Sequence, residues 1–287
     1  MEIMEALNHR IGSKRVLIRR HSLTVRLSHW LNVLCMTVLL FSGLQIFNAH
    51  PALYWGQYGA DNDPSVLSLE AAEEGDGIKG VTRIGGLSFD TTGVLGVSNV
   101  DGEATARGFP SWITLPSYQD LATGRRWHFF FAWLFVINGL IYMAYGFIAR
   151  HFRRDLLPAR DELSPGNLRH EIVDHARLRF PKGEKARRYN ALQKLTYLLV
   201  IFILLPVMIA TGLTMSPGFD AFAPWLLDIF GGRQSARTLH FITASALVAF
   251  VVVHVAMVIV SGLFNNMRSM ITGRYAIDVD DRTEVKP

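Results

Sequence analysis

The sequence predicts an all-α integral membrane protein, a four-helix bundle with a long extracytoplasmic connection between helices one and two. Three observations carry this. Half of the 287 residues are apolar. They fall in four long blocks rather than in the short alternating runs of a soluble sheet protein. The basic residues collect mainly in the segments that flank those blocks on one side.

The blocks read as spanning helices over Leu27 to Phe47, Trp127 to Ile148, Leu192 to Leu213 and Thr238 to Gly262. Each is near the about 20 apolar residues a bilayer crossing needs. The whole chain, residues 1–287, reads as one transmembrane domain, with residues 48–124 as an outer insertion. The first block is not expected to be a signal peptide. Its apolar part is too long, a basic segment precedes it, and no small-residue cleavage site follows.

Charge sets the orientation. The net formal charge is +5. Arg10, Lys14, Arg15, Arg19, Arg20 and Arg26 precede or open the first helix. A second cluster, from Arg150 through Arg169 and Arg179 to Lys182, Lys185, Arg187 and Arg188, lies between helices two and three. The connection between helices one and two carries only Lys79, Arg83 and Arg107. Lys- and Arg-rich short loops stay cytoplasmic, so both termini and the second connection are expected inside the cytoplasmic (inner) membrane. Topology accounts for the charge without nucleic acid as a partner.

The first helix opens with Leu27-Ser-His29-Trp, which places His29 near the inner face; Cys35, the one cysteine, reads as a small packing residue. The outer connection is acidic and glycine-rich, with β-type runs such as Gly93-Val-Leu-Gly-Val97, and it holds Tyr54, Trp55, Tyr58, Trp112 and Tyr118. Interfacial anchoring and a docking platform for an extracytoplasmic partner both fit those aromatics. Helix two opens with Arg126-Trp-His128, near the outer face. Helix three has no histidine, and Pro206 is expected to kink it.

Helix four carries His240 and His254. Fourteen steps at about 100° and 1.5 Å each return a side chain to within about 40° of its starting direction, about 21 Å further along the axis. With alternating helix directions, His128 and His240 share the outer depth, and His29 and His254 share the inner one. Intramembrane histidines are read first as functional. Two imidazoles on different helices at one depth suit the two axial positions of a haem. Two such centres would relay an electron across most of the membrane. A zinc or two-metal site does not suit ligands split between the two sides. Arg26, Arg126 and Arg237 lie close in sequence to these histidines and could pair with haem propionates, or snorkel to headgroups. His50, His151, His9, His170 and, with possible proton-relay roles, His21 and His175 read as solvated or headgroup-facing. Asn32, Asn190, Gln193 and Lys194 are candidates for bordering a quinone.

On these residues the chain resembles the bacterial four-helix dihaem cytochromes b, which include the membrane subunits of formate dehydrogenase and nickel–iron hydrogenase. The helices carry one, one, none and two histidines. Phrases such as His50-Pro-Ala-Leu-Tyr-Trp-Gly, Arg126-Trp-His-Phe-Phe-Phe and Gly231-Gly-Arg-Gln-Ser-Ala-Arg-Thr-Leu-His240 are most similar to the thiosulfate-reductase cytochrome b branch. The resemblance implies two haem b groups, a quinone as substrate, and a partner oxidoreductase of molybdopterin type outside the cytoplasmic membrane. The chain would be the electron-transfer subunit rather than the catalytic one. Two alternatives remain at this stage: a stand-alone quinone-linked oxidase of a small species such as superoxide, and a haem-free proton-coupled transporter.

Overall fold

The structure, a computed structural model, describes residues 13–61, 63–75, 77–177, 179 and 190–280. His9, Arg10, Asp76, Pro181, Lys182, Lys185, Arg187 and Arg188 lie outside the described residues.

In chain order the elements are β1 (Ser13–Arg19), α1 (Leu23–Phe47), β2 (Ala52–Tyr54), β3 (Ser65–Glu74), β4 (Gly77–Ile84), β5 (Leu87–Asp90), β6 (Gly96–Val100), β7 (Glu103–Arg107), α2 (Leu121–Ile148), α3 (Pro165–Ala176), α4 (Ala191–Leu199), α5 (Leu205–Thr214), α6 (Pro217–Phe222), α7 (Trp225–Ile229), α8 (Arg233–Val260), α9 (Leu263–Thr272) and β8 (Arg274–Asp280). Four stretches are long and apolar enough to cross a membrane: Leu23–Phe47, Leu121–Ile148, Ala191–Thr214 and Arg233–Val260. Apolar side chains such as Phe130, Ile137, Leu140, Val252 and Ile259 are exposed on their outer faces. In water that exposure would be unfavourable, whereas in lipid it costs nothing.

The all-α expectation needs correction in the insertion between the first two spans. Strands β2-β3-β4-β5 form an antiparallel sheet of four strands, and β6-β7 form a hairpin. Of the run Gly93-Val-Leu-Gly-Val97 only Gly96 and Val97 lie in a strand, β6, and Gly93–Leu95 form the turn before it. Gly80 and Gly96 permit a close backbone approach: a Cβ on Gly80 would lie 2.1 Å from the Leu95 carbonyl oxygen, and one on Gly96 2.4 Å from that of Glu70. A second departure joins the chain ends. Strand β1 pairs with β8 in register from Ser13 with Asp280 to Arg19 with Arg274.

The third span is irregular one turn before its proline. Val200–Leu204 forms a π-helical turn between α4 and α5. Pro206 has no N–H to give the Phe202 carbonyl and its ring crowds that oxygen, so the widened turn absorbs the mismatch.

The chain groups into two compact units, residues 1–29, 141–202 and 249–287 in one, and residues 30–140 and 203–248 in the other. In the second, Cys35, Phe131 and Phe135 form a buried cluster with Leu39 and Leu205 against it. A second cluster of Phe47, Leu53 and Leu69 seats the sheet on the ends of α1 and α8 through Phe109 and Phe241. In the first unit Phe152 is buried, with its ring against Tyr142, Phe147 and Phe202.

Candidate functional site: two histidine pairs

Each unit brings one pair of histidines together. In the first, the rings of His29 on α1 and His254 on α8 have centroids 6.3 Å apart. In the second, His128 on α2 and His240 on α8 stand 6.4 Å apart. None of the four residues is exposed.

Hydroxyl groups orient the second pair. Ser42 Oγ on α1 lies 3.1 Å from His128 Nδ1, and Thr211 Oγ1 on α5 lies 3.0 Å from His240 Nδ1. Both hydroxyls already donate along their own helices, Ser42 to the Val38 carbonyl at 2.6 Å and Thr211 to that of Val207 at 2.7 Å. A hydroxyl has one proton. Each therefore accepts from its histidine, so Nδ1 carries the imidazole proton and the Nε2 lone pair is available. Small residues make room for the rings. A Cβ on Gly43 would lie 3.4 Å from His128 Cε1, and one on Gly212 3.2 Å from His240 Cε1.

The arginines divide. Arg26 lies one helical turn before His29, and its Nε is buried with no hydrogen-bond partner among the described residues. A Cβ on Gly273 would reach within 2.9 Å of its Nη1. Arg126 is exposed and donates to Thr123 Oγ1 at 2.9 Å. Arg237 donates to the His50 carbonyl and lies 5.4 Å from the centre of the Phe47 ring. Its described contacts tie the end of α1 and the turn after it to α8.

The other polar candidates have structural partners. Asn190 and Gln193 form a capping box at the start of α4, and Lys194 Nζ meets both Glu162 oxygens, at 2.7 and 2.9 Å. Asn32 Oδ1 accepts from Asn138 Nδ2 at 2.7 Å. His175 Nδ1 lies 2.8 Å from the Glu171 carbonyl, while His170 stays largely exposed beside Asp174. His151, read from sequence as headgroup-facing, has a side chain only 14% exposed and sits 2.7 Å from Asp155. The four-residue spacing of the two on one helical turn is the signal that could have found this pair.

Sequence reasoning also missed Arg107, counted there as an outer-loop cation. It is 5% exposed at the end of β7. Nε donates to the Phe109 carbonyl at 2.9 Å, and Nη2 donates to Gln45 Oε1 at 3.1 Å and Thr114 Oγ1 at 2.7 Å.

A family model described as prokaryotic cytochrome b561 matches residues 20–273. The chain belongs to that family. A curated relative, a putative protein-methionine-sulfoxide reductase subunit YedZ1 of Azospira oryzae, is 35% identical over 149 residues, 52% of this chain and 70% of the relative. No solved structure matches this cytochrome. It is a haem-binding, electron-transferring membrane protein.

Both pairs fit the group that the family implies. Metal–imidazole bonds of about 2 Å, with roughly 1.1 Å from each nitrogen to its ring centre, put two opposed ring centroids about 6 Å apart. The observed 6.3 and 6.4 Å match that span. Among the described residues no three or more His, Cys, Asp or Glu side chains converge as a metal site. Two nitrogens alone suit an ion whose equatorial ligands come from a macrocycle.

Proposed function

We propose that this cytochrome carries two haem b groups, the outer one held by His128 and His240 and the inner one by His29 and His254. It passes electrons between the membrane quinone pool and an extracytoplasmic oxidoreductase. The observation that carries the reading is the near-identical separation of the two histidine pairs. Held by two imidazoles, such a group would supply one-electron exchange rather than oxygen chemistry.

The chain's own residues hold and orient. Ser42 and Thr211 fix the tautomer of the outer pair, presenting each Nε2. The buried Arg26 Nε supports a propionate-pairing role for that residue at the inner site. Arg126 and Arg237 were candidates for the same role. The contact of Arg237 with the His50 carbonyl favours a tethering role for it instead. The relative's name describes a subunit of a protein-methionine-sulfoxide reductase, which supports an oxidoreductase partner. The resemblance to the thiosulfate-reductase branch supports a molybdopterin enzyme in that position. The basic inner segments support an inner-membrane location with both termini cytoplasmic. We read residues 1–287 as one transmembrane cytochrome b domain.

The test is haem content and redox titration of the purified protein. Two low-spin haems per chain are expected, with His240→Ala removing mainly one component and His254→Ala the other. A spectrum that neither substitution changes defeats the assignment.

A further inference from the structure

Arg107 is a buried cation whose described hydrogen bonds all go to neutral acceptors, and no carboxylate pairs with it among the described residues. Burying a charge is costly unless an opposite charge or dense hydrogen bonding offsets it. A glutamine or methionine could fill the same volume without that cost. The arrangement also fixes the guanidinium in place. Thr114 gives its own proton to the Ser111 carbonyl at 3.1 Å, which leaves its oxygen to accept from Arg107. Gln45 gives its amide to the Tyr118 carbonyl at 3.0 Å, which turns its own oxygen toward Arg107.

The position is linked to the His128 site through Gln45. Gln45 follows Ser42, the partner of His128 Nδ1, by one turn on α1. Gly124 precedes His128 by one turn on α2, and a Cβ there would lie 3.0 Å from Gln45 Cγ. The cation therefore bonds the turn of α1 that leads to Ser42, and its partner Gln45 packs against the turn of α2 that leads to His128. It lies in a surrounding that screens charge weakly.

We propose that Arg107 is a positioning residue for the outer redox centre, a fixed positive charge that favours the reduced state there and so raises its potential relative to a neutral residue. The proposal rests on the assignment of a haem to His128 and His240. An electron arriving at the outer site is added negative charge, and a buried guanidinium stabilises it without moving. Arginine suits the task because it stays protonated in a buried site.

The test is an equilibrium redox titration of the purified full-length cytochrome, with the outer component identified by its loss in His240→Ala. Arg107→Gln is expected to keep two haems and shift the outer midpoint downward, leaving the inner one unchanged. Arg107→Lys is expected to recover most of the shift. Should Arg107→Gln fail to fold, Gln45→Glu reads the same effect by placing a carboxylate against the guanidinium, and the outer midpoint again falls. An outer midpoint unmoved in Arg107→Gln or, where that variant does not fold, in Gln45→Glu overturns the proposal. So does an equal downward shift in the Gln and Lys variants, which would make the hydrogen bonds, not the charge, the cause. Wild-type protein without low-spin haem would instead overturn the haem assignment itself, before any Arg107 variant is read.

Discussion

Ser42 Oγ stands 3.1 Å from His128 Nδ1 while giving its own proton to the Val38 carbonyl, so the histidine donates and the serine accepts. Thr211 repeats the relation with His240 from another helix. The back-bond that usually makes Ser and Thr unremarkable in apolar helices here decides which imidazole nitrogen faces the site. Partners of this kind typically contribute 10–100-fold to metal affinity. Ser42→Ala or Thr211→Ala is therefore expected to weaken haem retention at the outer site by about 10–100-fold. The measurement is haem transfer to an excess of apomyoglobin. Inner-site retention should stay at the wild-type level, and equal weakening at both sites would count against the assignment.

Gly212 and Gly43 supply a steric counterpart. A methyl on Gly212 would meet His240 Cε1 at 3.2 Å, closer than comfortable packing, whereas one on Gly43 would meet His128 Cε1 at 3.4 Å, an ordinary contact. In a helix interior, Gly→Ala ordinarily stabilises by about 1 kcal/mol. Gly212→Ala is expected to lower outer haem occupancy, with Gly43→Ala doing so less. Circular dichroism and haem content on the same samples separate the two effects. Helicity kept while outer haem falls is the expected result, and full haem content in Gly212→Ala would remove the steric argument.

How much of this was legible in the chain follows from which signals are local. The four spans and the pairing of His29 with His254 and of His128 with His240 depend on hydropathy and helical period, both written in consecutive residues. The role of Ser42 was not legible, because a serine in an apolar helix looks the same whether or not a histidine 86 positions away meets it. Arg107 was miscounted for a similar reason: only the tertiary fold converts a loop cation into a buried one. The strands of the insertion were half visible. Their alternation is interrupted by the glycines that let β3, β4 and β6 pack closely, so the feature that makes the fold possible also hides it. Pro206 was expected to kink the third span; what the structure shows is a π-helical turn at Val200–Leu204, because the carbonyl the proline disturbs is one turn earlier.

His21 offers a pH test. Burial, reinforced by the nearby Arg20 and other cations, pushes its imidazole down to about 4 from 6.5. Between those values the unfolded chain binds a proton that the folded chain does not, so folded stability rises with pH across that window and is lost as pH falls from 6.5 toward 4. His21→Gln is expected to flatten this part of the curve, while leaving stability above pH 7 little changed. Thermal unfolding in detergent at a series of pH values measures it. An unchanged acid slope in the variant would show that other groups carry the dependence.

Phe152 tests the packing beyond the C-terminal end of α2. Its ring is 7% exposed and lies 5.2 Å from Phe202, 5.2 Å from Phe147 and 5.7 Å from Tyr142 by ring centres. A Cβ on Gly146 would come within 2.2 Å of its Cζ, so the glycine leaves the space that the ring fills. Phe152→Ala opens a cavity and is expected to cost about 3–5 kcal/mol. Gly146→Ala forces the ring out and is expected to destabilise as well, against the usual gain from alanine in a helix. Neither residue touches the outer pair through any described contact. Both variants should therefore lower the unfolding temperature while the outer haem keeps its midpoint potential. If Gly146→Ala raised the unfolding temperature, the ring would have an alternative seat and the tight packing described for it would be wrong.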